Sequence, residues 1–265
     1  MTSPLSSKSV FRFMAWLSMA GVVGAACLMI THIVHADSVK TPSEYASDPG
    51  AMLEAYRRVE AASVSDAVEQ LLHEKRYMSH HMQAIFPAKF AGTALTVKLA
   101  KLATNEQGGA DALSGMLHAI DSGGSGSVYV MQVEDGADIA GMGGLMGTAM
   151  FARGYAGAVI DGGVRDLPQL KRIGFPVFST GPVPSTSVGH YRFAGANVAI
   201  DCDGVKVHPN DIIVADQDGV VVVPREHAVE VLLRAQQLDN SEHSMYPFIE
   251  KFHSIVEAVK NFGRI

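Results

Sequence analysis

The sequence predicts one α/β domain with mixed sheets and a docked C-terminal helix, on three observations. Segments between Ser127 and Ser179 alternate strand, helix, strand, helix, strand, the order that demands parallel pairing with crossovers. From Ala194 to Val223 the pattern changes to short β segments, with Asp218-Gly219 as a hairpin turn. The last stretch, Tyr246 to Phe262, is amphipathic, with Phe248, Ile249, Phe252, Ile255, Val256 and Val259 on one face.

The first 36 residues stand apart from that domain. Lys8 and Arg12 precede an uncharged apolar run from Phe13 to Ile30, and Val34-His35-Ala36 is a small-x-small cleavage signal. This is the pattern of a secretory signal peptide cut after Ala36, placing the protein outside the membrane, in the periplasm. The alternative is a retained anchor, since the run is long enough to span a bilayer, with the bulk of the chain facing outward. Lipidation at Cys27 fits poorly, because apolar residues continue past it. Cleavage would leave 229 residues; losing Lys8 and Arg12 lowers the basic count from 21 to 19 against 27 acids, a net charge of −8. Such acidity argues against a nucleic-acid partner. Cys202 then remains as the only cysteine, so no intramolecular disulfide forms. With 48% hydrophobic and 18% charged residues, the chain is globular rather than disordered.

The elements follow in order. Residues 37–50 are polar, with Pro42, Pro49 and Gly50, and read as a tether to a single domain over 51–265. Residues 51–76 have helical spacing, interrupted near Ser63, with Ser65 or Asp66 as a cap for a second helix. Ala91–Leu99 is a strand, Ala110–Ile120 a helix and Ser127–Val133 a strand. A glycine-rich link leads to a helix over Leu145–Arg153. Then come a buried strand over Gly157–Asp161 ended by Gly162-Gly163, a short helix over Asp166–Arg172 and a strand over Pro176–Ser179. The β segments are Val198–Ile200, Val205–Val207, Asp211–Ala215 and Gly219–Val223, followed by a helix over 225–237.

The chemistry concentrates in Gly141 to Asp166. Gly143-Gly144-Leu145-Met146 opens a helix, whose first N–H groups and positive dipole end suit a carboxylate or phosphate. Arg165-Asp166 follows a buried strand, where parallel α/β sheets place ligands. Arg165 can fork onto a carboxylate, and Asp166 can bind a hard cation or cap the next helix. The glycines with Asp161 resemble a dinucleotide fingerprint only loosely, since Glu134 to Ala140 separate them from the preceding predicted strand. His80-His81 are adjacent, so they should point apart and make poor co-ligands. His208 belongs to a turn, the Asp before Gln217 to a hairpin, and Cys202 to the core. Met142, Met146 and Met150 form one packed face.

GLMGTAMFARGYAGAVIDGGVRD (144–166), GFPVFSTG (174–181) and VHPNDIIVADQDGVVVVP (207–224), with weaker matches at SVSDA (63–67) and FPAKFAGTALTV (86–97), carry a resemblance. The chain resembles the family of class II 4-hydroxy-4-methyl-2-oxoglutarate aldolases and the regulators of ribonuclease activity A. The resemblance implies a compact swivelling, phosphohistidine-domain-like fold in homotrimers or hexamers with sites between subunits. It implies Mg²⁺ or Mn²⁺ held by Asp166 and waters, and a small 2-oxo acid held by Arg165 and the backbone of Gly143, Gly144, Leu145 and Met146. One departure stands out: the acid that precedes the Arg-Asp pair in the aldolases, across a spacer of twenty residues, is Gly144 here. Decarboxylation of oxaloacetate, which needs no base, is therefore expected over retro-aldol cleavage. Glu242 is the candidate for a substitute acid from a neighbouring subunit. A non-catalytic binding or regulatory protein is the alternative to a lyase.

Overall fold

The computed structural model describes residues 40–103, 110–136 and 138–263. The leader and residues 37–39 lie outside the described residues. From Thr41 onward the described chain forms one unit.

Part of the stretch read as a tether is helical. Helix α1 spans Pro42–Ser47 and α2 spans Pro49–Arg58. Each has Pro at its start, where the missing N–H costs nothing, and Thr41 closes a capping box with Glu44. Helix α3 spans Ala61–Leu72, so the helical break falls at Val59-Glu60 rather than near Ser63. Neither Ser65 nor Asp66 caps it. The Glu60 N–H donates to Asp239 Oδ1 (3.0 Å) and the Ala61 N–H to Asp216 Oδ2 (2.8 Å), caps brought by tertiary structure.

The sheet contains β1 (Gln83–Ala84), β2 (Phe90–Lys101), β3 (Ser127–Val133), β4 (Ala140–Met142), β5 (Gly157–Val164), β6 (Val177–Pro182), β7 (Tyr191–Ala196), β10 (Ile212–Asp216) and β11 (Gly219–Val223). Its order is β1-β6-β5-β3-β2-β10-β11, with β4 added to β5 and β7 to β2. The β2–β3, β3–β5, β4–β5 and β5–β6 pairs are parallel; β1, β7, β10 and β11 pair antiparallel. Strands β8 (Ile200–Cys202) and β9 (Val205–Val207) form a separate hairpin. The mixed α/β class therefore holds. Helices α4 (Ala110–Ser122), α5 (Gly144–Ala152) and α6 (Leu167–Ile173) supply the crossovers.

Alternation sorts the core. On β3, Tyr129, Met131 and Val133 pack with Met116, Ile120, Met150 and Leu170 under α4, α5 and α6, while Val128 and Val130 face Phe90, Phe178 and Cys202 beneath the β8–β9 hairpin. On β10, Ile212 and Val214 point to Tyr56, Val64, Val68 and Leu232, and Ile213 points the other way. This second helical layer consists of α1, α2, α3 and α7 (Ala228–Phe252), after which α8 spans Ile255–Phe262. Helix α7 runs fifteen residues past the expected end at 237 and continues through Pro247. No described helix is long and apolar enough to cross a membrane.

Candidate active site

Strand β5 carries the site. It runs past Asp161 to Val164, with Gly162 at φ 158° beside an irregular register against β6. Glycine accepts that angle without strain. The Gly162-Gly163 pair thus continues the strand, and Asp161 lies within it, accepting the Asp203 N–H at 2.9 Å. Burial pushes the Asp161 carboxyl above its ordinary range, partly offset by that bond.

Two residues follow Val164. The Arg165 N–H donates to the Met142 carbonyl (3.1 Å), which locks the turn onto β4. Asp166 adopts the left-handed conformation, φ 61° and ψ 37°, which Asp tolerates better than most residues. It occupies the N-cap position of α6, yet its side chain makes no bond to that helix. Its Oδ2 instead accepts the Gly144 N–H (2.9 Å) at the start of α5. The paired glycines permit this approach. A Cβ at Gly143 would lie 2.7 Å from Asp166 Oδ2, and one at Gly144 would lie 3.0 Å from Asp166 Cβ.

Arg165 is held but not consumed. Its Nη1 donates to the Ser185 carbonyl (3.0 Å), and its Nε lies 3.8 Å from Asp166 Oδ2. Ser185 is fixed in turn, its hydroxyl donating to the Asp138 carbonyl (3.0 Å) and accepting the Ala140 N–H (3.0 Å). Arg165 and Asp166 open onto a cleft of about 440 Å³, walled by Val164, Leu167 and Pro168 on one side and Pro182, Val183 and Pro184 on the other. Among the described residues, Arg165 and Asp166 are the only ionisable ones in that lining.

The remaining expected residues fall as follows. Gly143 is the N-cap of α5, and the Gly144 N–H is taken by Asp166. Helix geometry leaves the N–H groups of Leu145 and Met146 without intrahelical partners. The Leu145 side chain is 80% exposed, whereas Met146 and Met150 pack in the core, and Met142 belongs to β4. A short strand therefore does lead directly into the glycine turn, contrary to the spacing inferred from sequence. Glu242 sits on α7, accepting from the Tyr246 hydroxyl (2.6 Å), with no bond to Arg165 or Asp166 among those of the described residues. His80 and His81 do not point apart: their ring centroids are 4.3 Å from each other. The His208 N–H donates to Asp211 Oδ2, consistent with a turn, and Cys202 is buried with its thiol pushed well up by desolvation. Asp216 serves both its own turn, accepting the Asp218 N–H, and the start of α3.

Among the described residues, no three His, Cys, Asp or Glu side chains come together as a metal cage. The donor chemistry still suits a hard cation. Asp166 is half exposed to the cleft, one of its oxygens is engaged by Gly144, and Mg²⁺-type ions bind through one or two carboxylates while keeping several waters.

Sequence reasoning passed over Ser185, Thr148 and Gln169. Gln169 on α6 donates to Thr148 on α5 (2.9 Å), and the Thr148 hydroxyl donates to the Gly144 carbonyl (2.7 Å). Nothing local in the sequence marks them, because the contacts that tie them to the site, Gln169 to Thr148 and Ser185 to Arg165, join different elements.

Known proteins are similar to much of this chain. A family model described as "RraA-like: Aldolase/RraA" matches residues 61–222. An uncharacterized protein of Methanocaldococcus jannaschii is 38% identical over 39% of this chain and 49% of its own length. A Halalkalibacterium halodurans protein named "Putative 4-hydroxy-4-methyl-2-oxoglutarate aldolase" is 39% identical over 32% of this chain and 40% of its own. The chain thus spans about half or less of these curated relatives. A Burkholderia mallei protein of the same name is 30% identical over 57% of this chain and 89% of its own. Among solved structures, an uncharacterized Pseudomonas syringae protein superposes with a TM-score of 0.72 at 26% identity, covering 80% of this chain and 93% of its own. Streptomyces coelicolor RraAS2, described as an unusual member of the RNase ES inhibitor RraA family, superposes with a TM-score of 0.66 at 26% identity, covering 73% and 94%.

Proposed function

Because this chain belongs to the Aldolase/RraA family, we propose that it is a divalent-metal-dependent carbon–carbon lyase acting on a small 2-oxo acid. The observation that carries the reading is the turn after β5, where Arg165 and Asp166 face one cleft and Asp166 is oriented by Gly144. Names among the relatives support lyase chemistry.

The residues divide the work. Arg165 keeps guanidinium N–H groups beyond the one given to Ser185, and these receive the substrate carboxylate. Asp166 is the residue to hold Mg²⁺ or Mn²⁺. Such a cation supplies Lewis-acid polarisation of the 2-oxo group when bound. With oxaloacetate, the C3–C4 bond breaks, its electron pair moves into the C2 carbonyl, and CO₂ and the enolate of pyruvate result; water then protonates C3. Arg165 stands where negative charge develops, which favours the transition state over the ground state.

The cleft lining favours this reaction over retro-aldol cleavage. Removing the hydroxyl proton of a 4-hydroxy-2-oxo acid calls for a general base. Position 144 is glycine, and among the described residues the lining offers no ionisable group besides Arg165 and Asp166. An acidic side chain at 144 would also be crowded, since its Cβ would lie 3.0 Å from both Asp166 Cβ and Gln169 Cγ. Glu242 of a neighbouring subunit is the proposed substitute. Leu145, exposed at the start of α5, supports a homotrimer or hexamer that covers this edge. The leader pattern supports export.

The test is pyruvate release by the purified protein from oxaloacetate and from 4-hydroxy-4-methyl-2-oxoglutarate, with Mg²⁺, with Mn²⁺ and with chelator. Metal-dependent release, faster from oxaloacetate, is expected. Faster release from the hydroxy acid overturns the preference. No metal-dependent release from either favours the second reading, a non-catalytic binding protein, for which the missing acid at 144 and the likeness to RraAS2 speak.

A further inference from the structure

We propose that Thr148 and Gln169 are positioning residues that fix the Asp166 carboxylate for a divalent cation, an inference that rests on the lyase reading. Arg172 sets the direction of the chain of bonds. Its Nε and Nη2 both donate to Gln169 Oε1, at 3.0 and 2.8 Å. A guanidinium can only donate, so the amide must present its oxygen to Arg172 and its nitrogen to the other side. There Nε2 donates to Thr148 Oγ1 (2.9 Å). Having accepted that bond, the Thr148 hydroxyl directs its own hydrogen to the Gly144 carbonyl (2.7 Å). Every bond in the relay therefore has one allowed direction, and neither the amide nor the hydroxyl is free to turn.

The relay ends on the residue that orients Asp166. Gly144 is held through its carbonyl by Thr148 and donates its N–H to Asp166 Oδ2. The Gln169 side chain also packs where a Gly144 side chain would begin, with Cγ 3.0 Å from that point. Gln169 and Asp166 share α6 and its N-cap, while Gly144 and Thr148 share the first turns of α5. Two hydrogen-bonded contacts thus tie the helix beginnings together and set the carboxylate against its glycine. A threonine bonding back one turn is an ordinary helix habit. What distinguishes this one is the second bond, from an amide whose orientation is fixed by a cation. Nor is the relay needed to pack the helices. Met146 and Met150 of α5 and Leu170 of α6 already lie in the same buried cluster, and a Cβ on Gly147 would come within 2.2 Å of Leu170 Cδ2.

The experiment is Mn²⁺ binding to the full chain, read by the loss of the free Mn²⁺ paramagnetic resonance signal, with thermal unfolding run in parallel. Asp166→Ala should abolish tight binding. Thr148→Val and Gln169→Leu should each weaken it about 10- to 100-fold with little change in the unfolding midpoint. Thr148→Ser, which keeps the hydroxyl, should recover the wild-type affinity. If Thr148→Val does not fold, Gln169→Leu carries the same test. Unchanged affinity in the folded Thr148 and Gln169 variants, with binding lost in Asp166→Ala, overturns the positioning role and leaves the site reading standing. Wild-type binding no tighter than that of Asp166→Ala overturns both.

Discussion

Asp166 shows how one dihedral changes a residue's task. In the extended conformation usual at an N-cap, its carboxylate would fold onto the α6 backbone. At φ 61° it leaves that helix and reaches Gly144 on α5. The Arg-Asp pair and the glycine turn were both legible in the sequence as a strand end and a helix start. Their contact was not, because it depends on a left-handed aspartate and on β4, a three-residue strand of Ala-Gly-Met without β-branched residues. The crowding at position 144 has a measurable consequence. Gly144→Asp should not restore retro-aldol activity and should cost about 1–3 kcal/mol in urea denaturation, as overpacking does. Gain of hydroxy-acid cleavage without loss of stability would contradict the packing argument.

At the scale of elements, the second helical layer is joined by contacts far apart in sequence. Tyr56 on α2 donates to the Ala228 carbonyl at the start of α7 (2.6 Å), wholly buried, and desolvation pushes its phenol far up. Tyr56→Phe removes one of the donors to that carbonyl and should cost about 0.5–1.5 kcal/mol in chemical denaturation; a change near zero would show that the bond carries no net stability. His243 on α7 donates to the Asp239 carbonyl and lies 3.5 Å from Asp239 Oδ2 and 3.6 Å from Glu60 Oε1, beside the start of α3. The backbone bond first, then Asp239, Glu60 and Glu242, raise its pKa above 6.5 against a smaller desolvation effect. A raised folded pKa means that protonation favours the folded state. The stability His243 contributes is therefore complete below its unfolded value and lost as pH rises through its folded one. The gap in unfolding midpoint between wild type and His243→Gln should shrink with rising pH over that window; a gap that widens contradicts the sign. These joints also explain the misplaced start of α3. Local capping residues pointed to Ser65 or Asp66, while Asp239 and Asp216 cap it from α7 and β10. Pattern located α4, α5, β3 and β10 well: α5 buries positions spaced three and four apart, and β3 and β10 are short apolar runs buried on both faces. It missed β7, whose sequence Tyr-Arg-Phe-Ala-Gly-Ala contains three small residues and a charge, although this strand pairs with one edge of β2.

At the scale of the molecule, three buried clusters share the sheet's strands, with neighbouring side chains of β3 and of β10 entering different clusters. Among the described residues, all of them draw on side chains between Tyr45 and Ala258. A chain beginning at Thr41 should therefore unfold in one cooperative transition; two separated transitions would contradict a shared core. The site lies where this architecture places its parallel strand ends, between the β5–α6 turn and the segment after β6. The claim on which the rest depends is that the Arg165–Asp166 turn is the reacting centre. Its most direct test is Mn²⁺-dependent pyruvate release from oxaloacetate by wild type and Asp166→Ala side by side. The prediction is a loss of at least about 100-fold in kcat/KM with the fold intact by circular dichroism. Equal metal-dependent rates in the two proteins would contradict it.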